Sequence, residues 1–374
     1  MVPLPSTPCG LRRDKMGSIL DRNRHNMTIN ELARGRETFM DGLYQQRAKV
    51  VDYARILAAL RTAETSVSGE TLCRELGVSR TAVWKAVKHL RDRGYEIDSA
   101  PHRGYTLISA PEAPTALEVL PGVRTRFLGR RYDYHPSVES TNRLAAEAAA
   151  EGAPAGTVIA ADRQTGGRGR LSRAWHSPPG RNLYLSLVLR PPIEPVAAPQ
   201  LALVAAPALI RAVEQCTDAS PALAVKWPND VYLDGRKLAG ILCEMKAEID
   251  RVHHLIIGLG VNVNGYRFPP EIAGRATSLE QALAKPCSRA ALTTAFLNAF
   301  EEAYDRWLAE GLGPARRVWR ERSLLRGRRI RVTGLNRDIT GRAVDLTLQG
   351  GLVIEESDGV RTTIASGDAH IADF

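Results

Sequence analysis

The sequence predicts a multidomain α+β protein: three helices with a two-stranded wing, then a mixed-sheet α/β domain, then a small all-β domain. Three observations carry this. Apolar residues recur at helical spacing from Val50 to Leu90 and then give way to two short strand-like segments. Further along, strand-like runs alternate with helical stretches, an order that implies one sheet with helices packed on it. From Arg328 to Phe374 only short strands remain, with Gly334, Gly341, Gly350, Gly351, Gly359 and Gly367 at the turns, the pattern of a small β-barrel. The expected divisions are 1–48, 49–112, 113–322 and 323–374.

Residues 1–48 mix Pro, Gly, Asn and Arg without sustained periodicity and are expected to be a disordered extension; Met16, Met27 and Met40 leave open a later start. Val50, Tyr53, Ala54, Leu57 and Leu60 then form one helical stripe. A second helix, Gly69 to Leu76, should end at Gly77, where the missing Cβ permits a left-handed turn. Ser79 can cap a third, with Val83, Val87 and Leu90 inward and Arg80, Lys85, Lys88, Arg91 and Arg93 mostly elsewhere. The strands Tyr95 to Asp98 and Gly104 to Ile108, joined by Ser99 to Arg103, make the wing. Helix, turn, basic helix and wing is the order of a DNA-binding winged helix-turn-helix. Its candidate DNA contacts are Ser79, Arg80, Thr81, Trp84, Lys85 and Arg103.

Pro111, Pro114 and Pro121 mark a linker, since proline stiffens the chain. Beyond it lie the strand-like runs Val158 to Ala161, Leu183 to Leu189, Ala224 to Trp227, Val231 to Leu233, Gly240 to Met245 and His254 to Val263. Helical stretches are expected at Asn142 to Glu151, Gln200 to Gln215 and Arg289 to Leu308. Composition fits a folded chain: 374 residues, 44% hydrophobic and 25% charged, which excludes disordered and fibrous classes. A net charge of +10 favours acidic partners such as nucleotides or nucleic acid. Five dispersed cysteines form no Cys-x-x-Cys pair, so a reducing, cytoplasmic setting is expected, with neither a disulfide framework nor a zinc ribbon. The apolar run Val196 to Ile210 reads as too short to span a bilayer, and it holds Pro199 and Pro207.

Chemistry concentrates in two segments. Ala161-Asp162-Arg163-Gln164-Thr165-Gly166-Gly167-Arg168-Gly169-Arg170 sets arginines among glycines after an apolar strand, so guanidinium and backbone groups can close on a phosphate or carboxylate. Lys226-Trp227-Pro228-Asn229-Asp230 holds one lysine beside a rigid turn. No Walker sequence occurs, and no helix pattern follows the glycine loop as a dinucleotide fingerprint requires. Ser140-Thr141-Asn142 is at minimum a helix cap, and equally a polar cradle at a positive helix end. Gln164 offers a donor and an acceptor, as a ureido or amide ligand needs, or is a satisfied edge residue.

In order, Ser140-Thr141-Asn142, the Asp162 to Arg170 loop, Trp175, Asn182-Leu183-Tyr184-Leu185-Ser186, Lys226 to Asp230, Lys237-Leu238-Ala239-Gly240-Ile241-Leu242 with Glu244, and Gly258-Leu259-Gly260-Val261-Asn262-Val263-Asn264 resemble the motif set of the biotin protein ligases. The winged helix and the terminal barrel make the chain similar to the bifunctional form that also acts as biotin operon repressor. The resemblance runs from about residue 50 to the C-terminus. It implies a central domain of the biotin/lipoate ligase type and an SH3-like barrel. Biotin and MgATP would give biotinyl-adenylate and pyrophosphate, and a lysine of a biotin carboxyl carrier protein would then attack the adenylate.

The resemblance also implies roles. Lys226 would bridge the biotin carboxylate and the α-phosphate, with Arg168 and Arg170 as catalytic clamps on phosphate oxygens. Ser140, Thr141, Asn142, Gln164, Gly167 and Gly169 would complete the biotin site. Arg173, Trp175, Asn229 and Asn262 would join the arginines at the nucleotide, under Gly265 to Ser278. No protein metal ligands are expected, and Asp230 is the nearest group for the attacking amine's proton. A homodimer on operator DNA is the implied ligand-loaded state. Leu171 and Ser172 depart from relatives that carry arginine or glycine there. Two rivals stand: a lipoate-protein ligase, and a non-catalytic ligand-sensing winged-helix repressor.

Overall fold

The computed structural model describes residues 53–100, 103–217, 222–265, 267–333 and 338–372; the expected extension over 1–48 lies outside them. A helix over 53–62 (α1) buries Ile56, Leu57 and Leu60. The next, α2 (Gly69–Leu76), starts where Ser68 accepts from the Thr71 amide and stops at Gly77, whose φ of 67° is the left-handed stop expected there. In α3 (Arg80–Arg91) Ser79 accepts from the Ala82 amide, and Val83, Ala86, Val87 and Leu90 turn inward. Strands β1 (Glu96–Ala100) and β2 (Gly104–Ser109) form the antiparallel wing. A short helix, α4 (Ala116–Val119), ties this unit to the central domain: Glu118 accepts from Arg61 at 2.7 Å and from the Tyr95 hydroxyl.

Seven strands make the central sheet: β3 (Tyr132–His135), β4 (Val158–Ala161), β5 (Leu183–Leu189), β6 (Leu223–Lys226), β7 (Asp230–Leu233), β8 (Arg236–Ala247) and β9 (Val252–Val261). Their order is β3-β4-β5-β9-β8-β7-β6, parallel only between β3 and β4. The helices are α5 (Thr141–Ala150), α6 (Gln200–Cys216), the short α7 (Pro270–Ala273) and α8 (Leu279–Leu283), α9 (Arg289–Glu310) and α10 (Gly313–Arg322). Helix α5 covers one face of the sheet with a small cluster of Ala145, Ala149, Ile159, Val188 and Ile256. On the other face, α6 packs against β6, β7 and β8, and α9 packs on α6 through the main core.

The apolar stretch at α6 is longer than the expected Val196 to Ile210. With its preceding turn it runs Pro195–Cys216, 22 residues, enough in length and composition to cross a membrane. Pro207 does not interrupt the helix, and Leu201, Val204, Leu209 and Val213 are buried inside the fold.

The last five strands, β10 (Arg329–Thr333), β11 (Asp338–Leu346), β12 (Leu352–Glu355), β13 (Arg361–Ile364) and β14 (Asp368–Ile371), form an antiparallel sheet in the order β13-β12-β11-β10-β14. It shares one core with the central domain rather than hanging from a linker. Trp227 Nε1 donates to the Gly350 carbonyl and Trp319 Nε1 to that of Leu203, both at 3.0 Å. Arg320 donates to Asp345 at 2.8 Å, and this bond holds the Asp345 carboxyl well below the usual range.

Candidate active site

At the start of α5, Ser140 caps the helix by accepting from the Arg143 amide at 3.4 Å. Thr141 donates its amide and its hydroxyl to Gln164 Oε1, at 2.8 and 3.1 Å. Gln164 Nε2 donates to Ser177 Oγ at 3.2 Å, so internal bonds orient the amide. Gln164 lies beyond β4, which stops at Ala161, and makes an isolated bridge with Val138. Asn142 donates to Glu244 Oε2 at 2.6 Å and accepts from Ser186 Oγ at 2.7 Å, and Ser186 is fully buried in β5. A polar residue in the middle of an otherwise apolar strand is tolerated because these partners satisfy it.

Cross-strand register places the remaining groups on this same face. Residues directly opposite in neighbouring strands share a face, as do residues two apart along one strand. Tyr184, Gly260, Gly240, Asp230 and Lys226 form one continuous row across β5, β9, β8, β7 and β6. Ser186 and Gly258 belong to the next row on that face. Both glycines of β9 are fixed by what lies over them. A Cβ on Gly258 would sit 2.0 Å from Asn142 Oδ1, and one on Gly260 would sit 2.5 Å from Trp175 Nε1. Three strand spacings, about 14 Å, separate β9 from Lys226 on β6.

The arginine loop folds back as a hairpin. Trp175 donates its amide to the Gly167 carbonyl at 2.9 Å, and Gly169 donates to that of Arg173 at 2.8 Å. At its tip Leu171 and Ser172 take φ of 53° and 56°, a left-handed conformation that glycine adopts without strain. Arg168 is exposed, while Arg170 is partly buried and donates to Asn229 Oδ1 (3.4 Å) and the Gly367 carbonyl (3.2 Å). Arg173 forms an ion pair with Asp368 at the start of β14.

Lys226 ends edge strand β6, its Nζ 3.4 Å from the Tyr232 hydroxyl and 5.4 Å from that ring's centroid. Burial holds its pKa below the ordinary lysine value, with Asp230 pulling the other way. Tyr232 is pushed up to about 12, chiefly by burial. Asp230, expected near the attacking amine, is paired with Lys237 at 2.8 Å. Asn229 Nδ2 donates to the Ile241 carbonyl at 2.7 Å, so both ends of this amide are used within the protein. Asn262 is buried just beyond β9, its backbone N–H donating to the Leu238 carbonyl at 3.0 Å.

Two cavities flank the loop, of about 700 Å³ and about 660 Å³. Ser140, Asn142, Glu244 and His254 line the first, and Gln164, Trp175 and Ser177 the second. Arg168 lines both, whereas Lys226, Arg170 and Arg173 line neither. The face thus has a polar end at α5 and a cationic end at β6, with the loop across it. Among the described residues no group of three or more His, Cys, Asp or Glu is placed to hold a metal ion.

Comparison with known proteins agrees with this layout. Residues 134–262 match the biotin/lipoate A/B protein ligase family, 54–106 an HTH domain, and 326–370 the biotin protein ligase C terminal domain. The bifunctional ligase/repressor BirA of Bacillus subtilis strain 168 is 40% identical over 307 residues, 82% of this chain and 94% of that protein. The chain belongs to the family of bifunctional biotin ligase/repressors. BirA of Escherichia coli K12 is 30% identical over 306 residues, 82% of this chain and 92% of that protein. The biotin protein ligase from Aquifex aeolicus, solved in complex with biotin and ATP, superposes with a TM-score of 0.56 at 30% identity, covering 65% of this chain and 98% of that one.

Helix α3 has an open polar face. Arg80, Thr81, Trp84 and Lys85 are exposed, Trp84 by 54%, with Lys88 Nζ 5.6 Å from the Trp84 ring centroid. Arg103 is exposed beside the wing, while the Ser79 hydroxyl is used as the helix cap. Arg91 is turned away, donating to the Ile97 carbonyl at 2.8 Å. Sequence reasoning places Ser186, Glu244, Gly258, Gly260 and Lys237 within motifs but assigns them no role, and it misses Tyr232 and Asp368. The lone serine of Leu183–Leu189 is the one local signal among these.

Proposed function

We propose that this chain activates biotin with ATP and transfers it to a lysine of a biotin carrier protein. A biotin carboxylate oxygen attacks the α-phosphate, forming biotinyl-5'-adenylate as pyrophosphate leaves with both bridging electrons. The carrier amine then attacks the acyl carbon, an amide forms, AMP departs and the nitrogen sheds its proton. The α5 network of Ser140, Thr141, Asn142 and Gln164 would take the polar head of biotin. Its acid tail would run along the glycine face toward Lys226. Lys226 with Arg168, Arg170 and Arg173 would offset the repulsion between two anions and the charge that builds on the α-phosphate. Magnesium, which neutralises triphosphate charge when bound, would enter with the nucleotide. Asp230 is better assigned to holding Lys237 than to taking a proton, given that ion pair.

One observation carries this reading. Arg170 of the glycine loop reaches Asn229, three residues from Lys226, so the two cationic segments meet at one place although 56 residues separate them in sequence. The test is purified protein with biotin, MgATP and a biotin carrier domain, scored by the mass of the carrier. A biotinyl increment on one lysine is expected. Preference for lipoate as the competing acid would favour the lipoate ligase, and no increment with either acid would leave a ligand sensor.

The open face of α3 supports the second half of the proposal, repression of biotin-synthesis genes by a ligand-loaded homodimer on operator DNA. Affinity for the protein's own biotin-gene promoter should rise on adding biotin and ATP and fall steeply with salt. Unchanged affinity would leave only the ligase.

A further inference from the structure

One carboxylate fastens the DNA-binding unit to the central domain. Helix α4, which carries Glu118, belongs to the central domain by its packing: Leu117 and Val119 are buried, and the Val119 carbonyl accepts from the Thr294 hydroxyl of α9 at 3.0 Å. Just before α4, the Pro114 carbonyl accepts from the Tyr132 hydroxyl of β3 at 2.7 Å. The Glu118 side chain meets two separate parts of the helix-turn-helix unit. A single guanidinium nitrogen of Arg61, near the end of α1, donates to both carboxylate oxygens, at 2.8 and 2.7 Å. The Tyr95 hydroxyl donates to Oε1. Tyr95 lies between α3 and β1 and is 2% exposed, and its backbone N–H donates to the Leu90 carbonyl of α3 at 3.2 Å.

We propose that Glu118 is a positioning residue for the DNA-binding unit: it locks α1 and the end of α3 to the central domain, so that the open face of α3 is presented at one fixed angle. The linker alone cannot do this. From Ser109, where β2 ends, to Ala116, where α4 begins, the connection is a single length of backbone, and a unit held at one point can still turn about it. Glu118 grips Arg61 and Tyr95 at once, on two different parts of the unit, and so opposes that turning. Its side chain is 12% exposed, which leaves these charge-assisted bonds weakly screened, whereas a pair in open solvent would hold little. A fixed angle matters because a dimer on DNA reads two half-sites whose separation is set by the geometry of the protein. A unit already held at that angle loses less freedom on binding than one that swings.

This inference rests on the repressor half of the proposed function, and the experiment separates the two. The linker carries one exposed glutamate, Glu112, so a glutamate-specific endoprotease applied to the full-length protein reports how often that segment opens. Glu118→Met, which keeps the length and removes both acceptors, should be cut after Glu112 about tenfold faster than the parent, with an unchanged circular dichroism spectrum. Arg61→Met and Tyr95→Phe should each give part of that increase. Arg61→Glu combined with Glu118→Arg restores the ion pair with its charges exchanged and should be cut more slowly than Glu118→Met. On the protein's own biotin-gene promoter, with biotin and MgATP present, Glu118→Met should bind about tenfold more weakly. The slope of log affinity against log salt should not change, because no phosphate contact is removed. Should the parent fail to bind the promoter, the repressor reading fails, and the cleavage rates decide the clamp by themselves. Equal cleavage of the parent and Glu118→Met would overturn the proposal. So would an altered salt slope, or promoter affinity equal to that of a parent that does bind.

Discussion

Gly258→Ala is the sharpest probe of the polar end of the site. The new methyl carbon would lie 2.0 Å from Asn142 Oδ1, 2.7 Å from Cγ and 2.8 Å from Nδ2, whereas relaxed contacts lie at about 3.5 Å. Backbone hydrogen bonds on both sides hold β9, so the amide must retreat by more than about 1 Å. That retreat breaks the 2.6 Å bond to Glu244 and the 2.7 Å bond from Ser186. A bond to a charged partner contributes about 1.5–3 kcal/mol and a neutral one about 1 kcal/mol, partly offset by the lower chain entropy of alanine. The net loss should be about 2–3 kcal/mol, read as a lower denaturant midpoint. Biotin affinity should fall by at least about tenfold, because Ser186 also orders Thr141. Adding Asn142→Ala removes the clashing amide, so the double variant should be more stable than Gly258→Ala alone. An unchanged midpoint together with unchanged biotin affinity in Gly258→Ala would refute the packing argument outright.

Lys226→Met should slow adenylate formation by about 10²- to 10³-fold with little change in biotin affinity, measured by pyrophosphate exchange. The half-buried Lys226 ammonium is present below its lowered folded pKa and lost as pH rises through it. The parent rate should therefore fall on an alkaline limb that begins below the ordinary lysine range and that Lys226→Met lacks. Arg168→Ala should release adenylate faster, and equal retention would remove Arg168 from the clamp. Lys85→Ala should weaken promoter binding and reduce the slope of log affinity against log salt by about 1. Asp345→Asn should cost about 1 kcal/mol at neutral pH, modest because Arg320 is 41% exposed. Since the folded pKa of Asp345 is depressed, that stabilisation is full above the ordinary carboxylate value and disappears as pH falls toward the folded one.

What could be read from the chain was what local rules decide. The bounds of α2 and its stop at Gly77 follow from a cap and a missing Cβ within a few residues. The inward stripe of α3 follows from spacing alone. Tyr132–His135 gave no strand signal, because its pairing with β4 rather than any apolar alternation makes it a strand. Gly258 and Gly260 looked like motif residues without a task because their constraint comes from Asn142 and Trp175, each more than 80 residues away in sequence. Asp368 was out of reach for the same reason: only the seam between the central and terminal sheets brings it to Arg173.

The same seam bears on how the cations of the site are kept apart before phosphate arrives. Arg170, Arg173, Lys226 and Lys237 gather at the Lys226 end of the face, and uncompensated they would repel one another out of register. Two carboxylates and a carbonyl divide the work. Asp230 takes Lys237, Asp368 takes Arg173, and the Gly367 carbonyl takes one arm of Arg170. Lys226 is left with a phenol and a ring face, which attract it without neutralising it. Among these four it is the cation with no carboxylate or carbonyl partner in direct contact, and Arg170 and Arg173 must exchange protein partners for phosphate oxygens. Such an exchange costs less than burying a bare guanidinium, because each arginine passes from one acceptor to another.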